Sequence, residues 1–191
     1  LSDLAALILM GGKSSRMQED KAKIVYHEKA QFEHLYDLLK LFCEDVYLST
    51  NQEYKSFPFI KDNPEFGEIG PMNGILSGFD RLKTSLLVIA IDYPLFSEEE
   101  IQNLISQRDK NALASVMFNQ KSEFFEPFLG IYEFSMFEIL KTEIKIGNYS
   151  LQAILAKNEV KKVFPLTVNS LRNCNTIEEK NQLILEIHGR K

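Results

Sequence analysis

The sequence predicts a three-layer α/β fold, a mostly parallel central sheet with helices on both faces. Three observations carry this prediction. Two short, continuous apolar runs, Leu4 to Met10 and Leu86 to Ile91, have the uniform character of strands buried on both faces. Segments with apolar residues three and four apart alternate with strand-like runs along the chain, which is the order of strand–helix–strand units. The composition, 45% hydrophobic and 26% charged with 9 Gly and 6 Pro, is that of an ordinary globular chain. At ~100–200 residues per domain, the 191 residues correspond to a single domain, residues 1–191, without internal repeat or linker.

The elements follow in order. Leu4 to Met10 stops at Gly11-Gly12 and is expected to be a central strand. Between Gln31 and Phe42, the side chains of Phe32, Leu35, Leu38, Leu39 and Phe42 fall on one helical face. Val46 to Leu48 and Phe57 to Ile60 read as short strands, Met72 to Leu82 as a helix, and Ser85 to Ile91 as a second buried strand. Ser97-Glu-Glu-Glu100 has the form of a capping box opening a helix towards Arg108, and Thr176-Ile-Glu-Glu179 repeats the form before the last helix. Between them Ala112 to Phe118, Phe128 to Tyr132 and Val160 to Leu166 are strand candidates, with a helix over Phe134 to Lys145. Ligands of such open sheets bind outside the carboxyl ends of the strands, so the loops there are the places to look for function.

Several function classes are excluded at this level. No apolar run approaches the roughly 18–20 residues that cross a bilayer. A formal charge of −5 opposes sequence-independent binding to nucleic acid, which needs a positive field to displace counterions. Cys43 and Cys174 lie far apart, with no Cys or His at ligand spacing, so neither a disulfide framework nor a zinc site is expected. Reduced thiols and a cytoplasmic location follow as expectations. The chain opens on Leu1 rather than Met, which leaves room for a longer native N-terminus, and no targeting signal is expected ahead of the first strand. His27, His34 and His188 stand in no motif with a Ser or Cys nucleophile, so a hydrolytic triad is unsupported.

The loop after the first strand is the richest segment. Gly12-Lys13-Ser14 resembles the end of a P-loop, but the glycine required five residues before Gly12 is Leu7. A dinucleotide fingerprint needs a third, correctly spaced glycine, and none follows. What remains is a pair of glycines that lets backbone N–H groups approach an anion, followed by Lys13, Arg16, Lys21 and Lys23 against Glu19 and Asp20. A phosphate-binding loop and a solvated basic turn both fit that pattern.

The residues themselves resemble a family. Leu9-Met-Gly-Gly-Lys-Ser-Ser-Arg-Met17 with Asp20-Lys21 is similar to the L-A-G-G-x-S-x-R-M-G-x-D-K signature of the molybdenum cofactor guanylyltransferases. Gly70-Pro-Met-Asn-Gly-Ile-Leu-Ser-Gly78 resembles the family's G-P-L-x-G-I-x-x-G, and Ile91-Asp-Tyr-Pro94 its C-D-x-P. Glu126-Pro-Phe-Leu-Gly-Ile-Tyr132 and Asn173-Cys-Asn-Thr-Ile-Glu-Glu179 resemble its late P-x-x-A-x-Y and N-x-N-T-P-E-E segments. Met10 replaces the usual Ala, Gln18 and Glu19 replace a glycine-bearing stretch, and Glu28 and Ala30 stand where the family writes G-K-P. Tyr149, in Gly147-Asn-Tyr-Ser-Leu151, stands where arginine is common.

The resemblance implies a Rossmann-like sheet of the nucleotide-diphospho-sugar transferase type and the transfer of GMP from GTP to molybdopterin, with release of pyrophosphate. It implies Mg²⁺ as cofactor and, as further partners, molybdenum-insertion proteins, chaperones or apo-molybdoenzymes. It assigns catalysis to Arg16, Lys21 and Asp92, with Asp92 as metal ligand at the end of its buried strand. It assigns GTP contacts to Leu9, Met10, Gly11, Gly12, Lys21, Ser49, Asn51, Asp62 and Asp92, and the acceptor side to Asn173 and Asn175. Ordinary strand-end and turn chemistry accounts equally for a carboxylate at Asp62 and for asparagines before a capping box. Gly11-Gly12, where relatives that move other nucleotides usually carry L-A-A-G, favours guanosine over a cytidylyl- or sugar-phosphate nucleotidyltransferase. A non-catalytic module that escorts the pterin cofactor would not need both Lys21 and Asp92.

Overall fold

The computed structural model describes residues 3–11 and 21–189. Its strands form one seven-stranded sheet in the order β3-β2-β1-β4-β6-β5-β7. β1 (Leu4–Leu9) and β4 (Ser85–Ala90) lie at the middle as parallel neighbours, and every residue of both is buried. A strand without a polar position can only sit where helices cover both faces, so the two apolar runs fix the centre of the sheet. β2 (Val46–Ser49) and β3 (Phe59–Ile60) extend it in parallel on one side. On the other side β6 (Phe124–Tyr132) runs antiparallel to both β4 and β5 (Ala114–Asn119), and β7 (Val160–Val163) closes the edge parallel to β5. The expected mostly parallel α/β sheet is the one found.

The helices are α1 (Gln31–Leu39), α2 (Pro71–Leu82), α3 (Glu98–Ser106), α4 (Met136–Lys145), α5 (Leu151–Lys157) and α6 (Ile177–His188). α1 buries Phe32, Leu35 and Leu39, the stripe its spacing marks, and ends early because Leu38 and Leu39 carbonyls close single turns onto Leu41 and Phe42. No helix among the described residues is long and apolar enough to cross a membrane.

Four local expectations need correction, two of them because a tertiary contact outcompetes a local rule. Ser97 does not cap α3. Its hydroxyl donates to Glu99 Oε2 at 2.6 Å, and Glu100, the residue that would complete the box, is turned inward and 2% exposed. Glu100 accepts instead the N–H groups of Leu166 and Thr167 at 3.1 and 3.0 Å, so those amides leave the sheet and β7 stops at Val163 rather than Leu166. β6 begins four residues before Phe128, through Glu126-Pro127. A proline interrupts the apolar pattern there but is tolerated opposite the register shift between Val116 and Phe118. α5 went unpredicted. Its seven residues give only Leu151, Ile154 and Leu155 as an apolar face, and its start is fixed by the Ser150 hydroxyl accepting from Ala153 N–H.

α2 approaches the sheet closely at Gly74. A Cβ built there would lie 2.2 Å from Ser49 Oγ and 3.3 Å from Leu9 Cδ2, so glycine is what lets the first turns of α2 rest on the ends of β1 and β2. Gly74→Ala should cost about 1–3 kcal/mol of stability, the usual range for overpacking. In a Ser49→Ala background the 2.2 Å clash is gone and Ser49 Cβ lies at 3.4 Å, so denaturant melts should show most of that loss recovered. Equal losses in both backgrounds would place the strain elsewhere.

Candidate active site

The parallel half of the sheet lines up the residues of interest along one edge. β1 ends two residues before Gly11, β2 two before Asn51, β3 two before Asp62 and β4 two before Asp92. Because these strands run in the same direction, all four residues stand at the same carboxyl edge. The antiparallel β6 brings its amino end, with Glu126, to that edge, where β5 also ends at Asn119.

Lys21 opens a short 3-10 turn, Lys21–Lys23, whose Ala22 is buried as an anchor. Its ammonium donates to Asp92 Oδ1 at 3.0 Å and to Asn175 Oδ1 at 2.7 Å. The Lys21 and Asp92 side chains are 13% and 23% exposed, enough burial for the pair to feel each other with reduced screening and enough access for a ligand. Three distant segments therefore meet on one cation. Asn175 is held for the task by the last helix: Glu179 Oε2 accepts its backbone N–H at 2.7 Å and that of Thr176 at 3.1 Å. The Thr176 hydroxyl in turn accepts from Glu179 N–H, the reciprocal capping box that the sequence predicts for α6.

The turn carrying Asp92 is pinned from several sides. The Asp92 carbonyl accepts from Cys174 N–H at 2.8 Å, and the Pro94 carbonyl lies 3.0 Å from His27 Nε2. The Tyr93 hydroxyl donates to Glu126 Oε2 at 3.0 Å. Burial, and then the Glu126 carboxylate, push the Tyr93 phenol far above its ordinary range, so it stays protonated and donates. Cys174 accepts from Tyr26 at 3.0 Å, and burial raises its thiol pKa, leaving it an inert packing group. His27 and His34 stack at 4.0 Å between ring centroids. Burial, and then the neighbouring His27, hold the His34 pKa down to about 4.

The other assigned residues divide into groups. The Leu9 carbonyl accepts from Ile91 N–H, and Met10 N–H donates to the Ser49 carbonyl, so both side chains are buried at the strand ends. Gly11 is exposed, with φ +83°, a left-handed conformation that turns the chain off the sheet. Asn51 and Asp62 pair with each other: Asn51 Nδ2 donates to Asp62 Oδ2 at 2.9 Å, and Asp62 N–H donates to Asn51 Oδ1 at 3.0 Å. They lie at the β2–β3 end of the edge. Ser49 is 9% exposed and its hydroxyl faces Gly74, in the packing of α2 rather than along the open edge. Gly12 and Arg16 lie outside the described residues.

Asp92 and Asn175 supply hard oxygen donors that already gather on one positive charge, the Lys21 ammonium. That donor set suits Mg²⁺, which takes one or two carboxylates and completes its shell with phosphate oxygens and water. Among the described residues no cluster of three or more His, Cys, Asp or Glu is placed to hold a metal ion. The sequence motifs assign no role to Glu126 or Asn119, and Glu126 lies ahead of the strand expected over Phe128 to Tyr132.

The fold is that of nucleotidyltransferases. It is similar to the molybdopterin-guanine dinucleotide biosynthesis protein A of Archaeoglobus fulgidus, with a TM-score of 0.77 at 22% identity over 98% of this chain and 100% of the other. It is also similar to a CMP:2-keto-3-deoxy-manno-octonic acid synthetase complexed with CTP, with a TM-score of 0.73 at 10% identity over the whole of both chains. Residues 6–163 match the MobA-like NTP transferase domain, and the chain belongs to that family. It is a nucleotidyltransferase. A probable molybdenum cofactor guanylyltransferase of Flavobacterium johnsoniae is 29% identical, covering 98% of this chain and 100% of its own length. The molybdenum cofactor guanylyltransferase of Campylobacter jejuni is 25% identical over 94% of each chain.

Proposed function

We propose that the protein transfers GMP from GTP to the terminal phosphate of molybdopterin and releases pyrophosphate. The observation that carries this reading is the meeting of Lys21, Asp92 and Asn175 at the carboxyl edge, beside the Gly11 turn. Relatives bearing the name molybdenum cofactor guanylyltransferase over nearly the full chain support the choice of substrates.

The chemistry is attack by one phosphate on another. A terminal phosphate oxygen of the acceptor forms a bond to the α-phosphorus of GTP, the bond to the α,β-bridging oxygen breaks, and pyrophosphate leaves with the electron pair. A phosphate monoester has a second pKa of about 6, so it is already largely dianionic and needs no strong base. Repulsion between the anions is the obstacle, and positioning with electrostatic neutralisation is the remedy. Lys21 supplies a compact cation, which the Asp92 and Asn175 oxygens aim. Gly11, at φ +83°, turns the backbone off the sheet at the edge where the phosphates are to lie. Asp92, with Asn175, would hold Mg²⁺, which would offset the charge of the triphosphate. Asn51 and Asp62 serve the nucleoside end of the edge, and Asn173 with Asn175 the acceptor end.

A nucleotide screen tests the reading. With molybdopterin and Mg²⁺ present, pyrophosphate release is expected from GTP far faster than from CTP, ATP or UTP, because a wrong base leaves buried polar groups unpaired. Preference for CTP would move the protein to cytidylyl transfer.

A further inference from the structure

A carboxylate is an unexpected neighbour for a site that gathers polyanions, and Glu126 is such a carboxylate. It stands near the start of β6, at the same edge as Asp92, in a strand otherwise apolar or aromatic except for its proline. Both of its oxygens are engaged. Oε2 accepts the Tyr93 hydroxyl at 3.0 Å, and Oε1 faces Asn119 Nδ2 at 3.3 Å. Asn119 is itself fixed, its Oδ1 accepting the N–H groups of Lys121 and Ser122 at 3.1 and 3.3 Å in the β5–β6 turn. Glu126 is thus tied to a rigid hairpin, while Tyr93, 4% exposed, follows Asp92 directly in the chain.

The segment opposite completes the picture. Cys174 N–H donates to the Asp92 carbonyl at 2.8 Å. Asn175, one residue later, accepts from Lys21. The Asp92 turn is thus bonded to the segment before α6, and the Tyr93 hydroxyl is where that turn meets the hairpin.

We propose that Glu126 is a positioning residue for nucleotidyl transfer: by accepting the Tyr93 hydroxyl at 3.0 Å it anchors the Asp92 turn and the Asn173–Asn175 segment to the β5–β6 hairpin. The two donors, Tyr93 and Asn119, hold its carboxylate in one orientation. Glu126 itself is not required to touch substrate. The inference rests on the nucleotidyl-transfer reading of the Lys21–Asp92–Asn175 cluster.

The test is a double-substitution cycle with Tyr93→Phe and Glu126→Ala, read in two ways. In transfer assays each single variant should lower kcat about tenfold, the size of one lost buried hydrogen bond, with the KM for GTP at its wild-type value. The double variant should be no slower than the worse single, because both changes cut the same link. Glu126→Gln, which keeps an acceptor oxygen for Tyr93, should recover most of the rate. Without any substrate, the backbone amide signal of Cys174, which bonds the Asp92 carbonyl, should move in ¹H–¹⁵N spectra of Glu126→Ala as it does in Tyr93→Phe. Multiplicative losses in the double variant, or a Cys174 signal unmoved by Glu126→Ala, would overturn the proposal. A wild type that transfers no GMP to molybdopterin instead overturns the substrate assignment, and the substrate-free spectra still decide the role of Glu126.

Discussion

Asp92→Asn is expected to lower transfer by about 100-fold or more, the usual scale for losing one electrostatic group at a phosphoryl or acyl site. The substitution is nearly isosteric. An amide oxygen can still accept from Lys21, and the backbone bond from Cys174 N–H to the Asp92 carbonyl does not involve the side chain. What disappears is the negative charge that, on the proposed reading, draws Mg²⁺ to the GTP phosphates, so the metal concentration needed for half-maximal rate should rise along with the fall in kcat. The fold should be almost unaffected, since the Lys21–Asp92 pair is part-exposed and such pairs contribute at most about 1 kcal/mol. Metal titrations of wild type and variant decide the matter. Identical saturation at the same rate would make Asp92 a turn residue, and Asp62 the next carboxylate to examine.

Lys21→Ala should be at least as damaging, by about 100-fold or more in kcat. It removes the cation and also leaves the Asp92 carboxylate uncompensated where a triphosphate must approach. Thermal melts should shift little, because Ala22 carries the packing of the turn and the Lys21 ammonium serves only its bonds to Asp92 and Asn175. Lys21→Arg should restore activity only in part: a planar guanidinium cannot place one compact charge between Asp92 Oδ1 and Asn175 Oδ1. In a Lys21→Ala background, Asp92→Asn should add less than its own single effect, since the unpaired carboxylate is by then a source of repulsion. Wild-type turnover in Lys21→Ala would remove this lysine from the chemistry.

The central strands were legible because β1 and β4 contain no polar interior position, and only a doubly covered parallel sheet accepts such segments. The α6 capping box was legible because its partners lie within four residues. The identical signal at Ser97 misled, because Glu100 is used by amides 66 and 67 residues away, a relation invisible in local spacing. The site shows the same divide. Lys21, Asp92 and Asn175 could each be singled out by resemblance, yet their convergence spans 71 and 154 residues of chain and arises only when β1, β4 and the segment before α6 share an edge. The bond between Tyr93 and Glu126 was not legible, because a hydroxyl–carboxylate contact across 33 residues has no signature in sequence. The resemblance assigns Ser49 a GTP contact, but its hydroxyl faces Gly74, a packing relation that only the close approach of α2 reveals.

A single-turnover reaction of the wild-type protein with molybdopterin, Mg²⁺ and GTP labelled at the α-phosphate tests nucleotidyl transfer most directly. The label is expected to move into a phosphoanhydride joining GMP to molybdopterin, with unlabelled pyrophosphate released in equal amount. Label recovered as free GMP, or retained in GTP while pyrophosphate stays at background, would contradict transfer to a phosphate acceptor at the Lys21–Asp92–Asn175 site.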